Sequence, residues 1–330
     1  MLTEAIKATA DQLGYISVPE KENINFAEEI VKLKKEKNAV LLAHYYQEPA
    51  IQDIADFVGD SLALSQKAAQ VDADIILFAG VHFMAETAKI INPKKKVILP
   101  DFNAGCSLAE AAPAKEFKEF VEAHPDHTVI TYINSSAEVK AYTDITVTSS
   151  NALKIVNSLP KEEKIIFAPD RNLGRYIMKE TGRDMLLWDG ACVVHEAFSM
   201  NKLLELHKEY PQAQIIAHPE SEMHLLQTAS FVGSTAALLK HVKEDKSDQY
   251  IVATEAGILH KMKQAVPGKT LIPAPSKEDN TCACSECAFM KMNTMQKVYN
   301  CLKYEYPEVQ VTEEIRIKAA KAIQKMFDLS

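Results

Sequence analysis

No basic tract, no long apolar run and no glycine-rich phosphate motif occurs in these 330 residues. The longest basic run is the triplet Lys94 to Lys96. Against a formal net charge of −8 it offers no nonspecific surface for nucleic acid or an anionic membrane, and a solvated loop is its expected setting. No apolar stretch reaches the roughly 18–20 residues of a spanning helix. The N-terminus, MLTEAIKATADQLGY, lacks the basic start and apolar core of a secretion signal. A cytoplasmic protein with no membrane and no nucleic-acid partner is expected. Neither GxxxxGK[ST] nor GxGxxG is present, which removes the commonest nucleotide-binding readings. What remains is an ordinary globular composition, 47% hydrophobic and 25% charged, and length enough for two or three domains.

Cysteine usage is less ordinary. Three of the six, Cys282, Cys284 and Cys287, fall within TCACSEC. Cys106 and Cys192 stand far upstream, each after an apolar strand-like run and a small-residue turn, in VILPDFNAGCSLAE and MLLWDGACVVHEAF. In a reducing compartment thiols at such spacings are more often metal ligands or catalysts than structural disulfides.

Residues 1 to about 35 read as a helical lead-in, with Phe26, Ile30, Val31 and Leu33 on one side. From Ala39 the chain says one thing three times, at a period near 90 residues. Each pass opens with a strand: AVLLAHYYQ, TVITYINSS, QIIAHPESE. A helix-start signal rich in small hydroxyl residues follows: VGDSLALSQKA, VTSSNALKIV, VGSTAALLKHV. A second strand and helix come next, then a third strand and a cysteine-bearing turn. This grammar predicts an α/β fold of three pseudo-symmetric, three-layer α/β/α domains with short parallel sheets. The expected boundaries are 1–113 with Cys106, 114–205 with Cys192, 206–300 with Cys287, and a C-terminal helix in 301–330 with Ile315, Ala319, Ile323 and Met326 inward. Loops at the carboxyl ends of parallel strands hold ligands in such folds.

Three thiolates at one centre suit a [4Fe-4S] cluster with one iron left open as a Lewis acid. The rival is structural zinc on the Cys-x-Cys-x-x-Cys stretch, with Cys301 or a histidine as fourth ligand. The matching places of Cys106 and Cys192 favour the cluster. The opening strands end in polar groups: His44, Tyr45 and Tyr46, then Tyr132 and Asn134, then His218 and Glu220. The helix starts add Asp60 and Ser61, Thr148 and Ser149, Ser234 and Thr235, a potential cradle for carboxylate or phosphate. His195 and His260 are candidates for acid/base work.

HYYQEPAIQDIADFVGDS, TYINSS, DGACVVHEAF, AHPE, VGSTAALL, TEAGILH and CAFMKMN, in that order, resemble the successive signatures of the quinolinate synthase family. The resemblance runs from about Ala39 to Asn293. It implies three α/β domains around a central [4Fe-4S] cluster ligated by Cys106, Cys192 and Cys287. The implied reaction condenses iminoaspartate with dihydroxyacetone phosphate to quinolinate, losing phosphate and two waters, on the route to NAD. Tyr46, Tyr132, His195 and Glu220 are the implied proton-transfer residues. His44, Asp60, Ser61, Asn134, Ser149, His218, Ser234 and Thr235 are the implied substrate pocket. The resemblance also implies a regulatory Cys284–Cys287 disulfide in some members, and it raises a transient contact with L-aspartate oxidase.

Overall fold

The computed structural model describes residues 2–19, 24–277 and 285–330. Among these, twelve short strands form three separate four-stranded sheets. The first holds β1 (Ala39–His44), β2 (Phe57–Gly59), β3 (Ile75–Ala79) and β4 (Lys96–Ile98), in the order β2-β1-β3-β4. In the second, β5 (Thr128–Tyr132), β6 (Ile145–Val147), β7 (Ile165–Ala168) and β8 (Leu186–Leu187) take the order β6-β5-β7-β8. The third repeats it with β9 (Gln214–Ala217), β10 (Phe231–Val232), β11 (Gln249–Ala253) and β12 (Thr270–Pro273), as β10-β9-β11-β12. Every pairing is parallel.

The expected α/β repeat is therefore present as topology, three times over. The structure adds a strand to each pass. FVG, ITV and FV, directly ahead of the helix-start signals, pair along the edge of their sheets. Two or three residues are too few to show a period, so sequence pattern does not reveal them. The central strands are continuous apolar runs because helices cover both faces of a parallel sheet. Leu41, Leu42, Ala43, Ile76 and Leu77 are wholly buried, as are Ile166, Phe167, Ile216 and Ile251.

The chain divides into two compact units, Met1–Cys106 with Ala288–Ala320, and Ser107–Cys287 with Lys321–Ser330. The first unit carries the first sheet. Its core joins Leu41, Ala43, Leu77 and Ile98 to Ile30 of the helix Phe26–Glu36 and to Val298, Cys301 and Leu302 of the helix Met295–Tyr304. Each such fully buried aliphatic side chain is worth about 1.5–3 kcal/mol. Cys301 belongs to this core, and burial pushes its thiol up, out of thiolate chemistry.

The lead-in differs from its expectation. It is two helices, Glu4–Leu13 and Phe26–Glu36, and the first stops at Gly14, whose φ of +82° only glycine adopts cheaply. Val31 faces outward, and Lys34 is the buried one, its ammonium donating to the Asp56 carboxylate and the Ile54 carbonyl. The long lysine stem permits both burial and charge pairing.

The second unit carries the other two sheets. Phe117, Val129, Val139 and Ile166 pack one core with Trp188 against it. Phe198, Leu203, Ile215, Leu225 and Ile251 pack the other. The C-terminal helix Glu313–Leu329 buries Ala319, Ile323 and Met326 as its period predicts. No helix among the described residues is long and apolar enough to cross a membrane.

Candidate active site

The loop after β1 carries the first group of predicted residues. The Tyr46 amide donates to His44 Nδ1 at 3.2 Å, and the two rings meet edge to face at 4.3 Å between centroids. Gln52 fastens this loop by donating to the carbonyls of Tyr45 and Gln47 at 2.9 and 2.8 Å. Asp60 is the N-cap of the helix Ser61–Gln70, accepting the Ala63 amide at 3.0 Å, and Ser61 opens that helix. Burial, then the Asp60 charge, raises the Tyr45 phenol above its ordinary range.

In the second unit six predicted residues form one cluster, four of them buried. Tyr132, at the end of β5, donates its hydroxyl to Glu220 Oε1 at 2.5 Å. Glu220 Oε2 lies 3.0 Å from His195 Nδ1. His195 Nδ1 is also 3.2 Å from Cys192 Sγ, and its Nε2 is 3.1 Å from the Thr254 hydroxyl. The His195 and His218 rings stand 4.8 Å apart. The Glu220 amide approaches His218 Nδ1 at 3.4 Å. An amide N–H only donates, so this nitrogen accepts and the His218 proton sits on Nε2, which donates to Ser149 Oγ at 3.1 Å.

The electrostatics follow from burial. It drives the His218 imidazole down to about 3, so His218 is neutral at pH 7; Glu220 pulls against this and His195 adds to it. Burial alone would raise the Glu220 carboxyl. The imidazoles of His195 and His218 and hydrogen bonds from His195 and Tyr132 outweigh it and hold the carboxyl below the ordinary range. Glu220 is therefore an ionised acceptor and a weak base.

Asn134 completes the loop after β5. Its Oδ1 is buried with no hydrogen-bond partner among the described residues, a cost of about 1–3 kcal/mol that a ligand donor would remove. The wholly buried Lys140 fixes this loop by donating to the carbonyls of Ile133, at 2.8 Å, and Ser135. Ser234 caps the helix Thr235–Glu244 through the Ala237 amide and bonds the Ser150 hydroxyl at 2.8 Å; Thr235 is buried beside it. Thr148 and Ser149 differ from their expectation. The helix begins at Ala152, and it is Asn151 that accepts the Thr148 amide. His260 pairs with Gln264 on the helix Ile258–Ala265.

Each cysteine of the expected ligand set occupies the same place in the repeat. Cys106 directly precedes the four-residue helix Ser107–Glu110, Cys192 precedes Val193–Glu196, and Cys287 precedes Ala288–Lys291. All three are half-buried, unlike Cys301. Gly190 sets up the second of these turns. A Cβ there would lie 2.5 Å from the Pro169 carbonyl, and its own carbonyl accepts the Arg171 amide at 2.8 Å. Cys282 and Cys284, and with them the expected Cys284–Cys287 disulfide, lie outside the described residues.

Three further residues belong to the site. Thr254 holds His195. The wholly buried Glu255 accepts the Gly257 amide at 2.7 Å and the Cys287 amide at 3.1 Å. Asp170, also wholly buried, caps the helix Arg171–Thr181 through Oδ1, while Oδ2 has no partner among the described residues. Burial, then the charge of Glu220, raises its carboxyl well above the usual range against the pull of the Leu173 and Asn172 amides. TEAGILH and APDRNLG carry these residues in plain sight, at the ends of β11 and β7, where ligand-facing loops begin.

Comparison with known proteins bears directly on this geometry. The family model described as NadA, quinolinate synthetase A protein, matches residues 28–328. A quinolinate synthase of Nostoc sp. is 60% identical over 91% of this chain and 92% of its own length. One from Synechococcus sp. is 58% identical over 91% and 94%, and one from Trichodesmium erythraeum 58% identical over 92% and 93%.

Proposed function

Since this chain belongs to the quinolinate synthase family, we propose that it carries out the family's condensation with the residues described above. The activity is quinolinate synthesis for NAD. In the proposed reaction, iminoaspartate and dihydroxyacetone phosphate combine in the cytoplasm, with loss of phosphate and two waters. The domain boundaries near 113, 205 and 300 are part of the same proposal, as is a transient encounter with L-aspartate oxidase.

Cys106, Cys192 and Cys287 would hold a [4Fe-4S] cluster, whose open iron supplies Lewis-acid polarisation of substrate oxygen or nitrogen when bound. The observation that carries this ligand set is the threefold recurrence of a half-buried cysteine directly ahead of a four-residue helix. It favours Cys287 over Cys282 and Cys284, which stand three and more residues too early in the sequence to repeat that position.

Within the second unit, Glu220 stays ionised and orients two proton carriers, the Tyr132 hydroxyl and the His195 imidazole. His218 is neutral and turns the Ser149 hydroxyl so that it can donate to a substrate carboxylate. The orphaned Asn134 Oδ1 would accept from a substrate hydroxyl or amine. Ser234 and Thr235 bind anionic groups at their helix start. His44 and Ser61 do so in the first unit, where Asp60, the cap of that helix start, accepts from substrate donors and Tyr46 is the remaining proton carrier.

The test is iron and acid-labile sulfide in anaerobically purified protein, beside Cys106→Ala, Cys192→Ala and Cys287→Ala, with quinolinate formation assayed on each. About four irons in the parent, and loss of cluster and activity in all three variants, is the expected result. An intact cluster in any one of the three overturns the ligand set.

A further inference from the structure

Cys192, His195 and Glu220 are more than neighbours of a ligand. Their sulfur, Nδ1 and carboxylate oxygen all lie within 4.8 Å of one another. His195 Nδ1 is 3.2 Å from the sulfur and 3.0 Å from Glu220 Oε2. A tetrahedral ion about 2.0–2.3 Å from nitrogen, oxygen and sulfur donors holds them about 3.3–3.6 Å apart. The two separations at His195 reach that spacing with an outward shift of a few tenths of an ångström, and the sulfur and carboxylate oxygen, within 4.8 Å of each other, reach it by rotation of the two side chains.

The groups behind the donors are also those of a metal site. His195 Nε2 faces the Thr254 hydroxyl, and Glu220 Oε1 accepts from Tyr132, so each ligand is oriented by a bond on its far side. His195 and Glu220 are buried and Cys192 is half-buried. A divalent ion with one thiolate, one carboxylate and one neutral imidazole has zero net charge, the arrangement that burial tolerates best.

We propose that the cluster-free chain binds a single Zn2+, or its spectroscopic substitute Co2+, at Cys192 Sγ, His195 Nδ1 and Glu220 Oε2. On binding, the thiol releases its proton to solvent as the metal–sulfur bond forms. The imidazole proton moves from Nδ1, where it faces Glu220, to Nε2, where Thr254 accepts it. The fourth position is filled by water. No electron is transferred. Because the proposed cluster also needs Cys192, the mononuclear ion and the cluster exclude one another, and zinc acts as a block on cluster assembly.

The test is a titration of the anaerobic, cluster-free full-length chain with Co2+. The expected result is one Co2+ per chain with the near-ultraviolet sulfur-to-metal band and visible bands of a tetrahedral site. Cys192→Ser removes the sulfur band, His195→Ala and Glu220→Gln weaken binding by about tenfold or more, and Cys106→Ser leaves it unchanged. Thr254→Val, which keeps all three ligands, weakens it by roughly 10–100-fold. Circular dichroism on each variant separates these effects from misfolding. Loss of binding in Cys106→Ser, or unchanged binding in both His195→Ala and Glu220→Gln, overturns the site. A second arm loads Zn2+ before iron and sulfide: slower cluster formation in the parent, but not in Glu220→Gln, is expected, and equal rates in both overturn the block. None of these readouts uses quinolinate formation, so their failure leaves the proposed function standing.

Discussion

Asp170 and Glu255 occupy the same place in two passes of the repeat, two residues beyond β7 and β11, and both are wholly buried. Their partners among the described residues differ. Glu255 gives each oxygen to a backbone amide, one at Gly257 and one at Cys287. Asp170 gives one oxygen to a helix cap and leaves the other unpartnered, facing the field of Glu220. The first is a clamp on the turn that presents Cys287. The second is an acid whose carboxyl its site raises well above the usual range. Equivalent positions in a repeat thus share backbone geometry and not chemical duty.

The largest effect should come from breaking the clamp. Glu255→Ala removes a carboxylate acceptor from the buried Gly257 amide and the half-buried Cys287 amide, worth about 1.5–3 kcal/mol each. A loss of about 3–6 kcal/mol in urea unfolding is expected, with poorer retention of iron by the reconstituted protein. Glu255→Gln sharpens the contrast: an amide keeps one acceptor and turns a donor toward the other N–H. Its expected cost is about 1.5–3 kcal/mol.

The amide change at Asp170 should act in the opposite direction. The folded carboxyl titrates well above its unfolded value. Its contribution is fully present below the unfolded value near 4 and is lost as pH rises toward the folded one. Asp170→Asn keeps the cap oxygen and removes that loss. It should therefore gain on the parent by up to about 1.4 kcal/mol per pH unit above pH 4, read from denaturant curves between pH 5 and 6. A constant difference across that interval would contradict a protonated Asp170.

His218 provides the mirror case. Its folded value is about 3, below the unfolded one. The unfolded chain binds a proton first, so stability falls as pH drops through about 6.5. Relative to His218→Asn, the parent should lose about 2 kcal/mol between pH 6.5 and 5. A smaller effect is expected at Thr254→Val, which removes only the hydroxyl facing His195 and should cost about 1 kcal/mol of stability.

Much of this molecule is legible in sequence because local pattern carried it. Continuous apolar runs place the buried strands, capping residues mark helix starts at Asp60 and Ser234, and the cysteine turns recur in order. The edge strands were too short to leave a period. Val31 and Lys34 exchanged their expected faces because a lysine stem can bury itself when a carboxylate and a carbonyl lie within reach.

By itself, then, the sequence determined the class of fold, the threefold repeat and the residue types available for chemistry, since these follow from periodicity and from side-chain inventory. Only tertiary structure decided which polar residues are buried and what each one faces. Asp170, Glu255, Lys140 and Thr254 read as loop polar residues until their burial and partners are seen. Desolvation and partner geometry set their protonation and purpose, and both depend on neighbours distant in the chain.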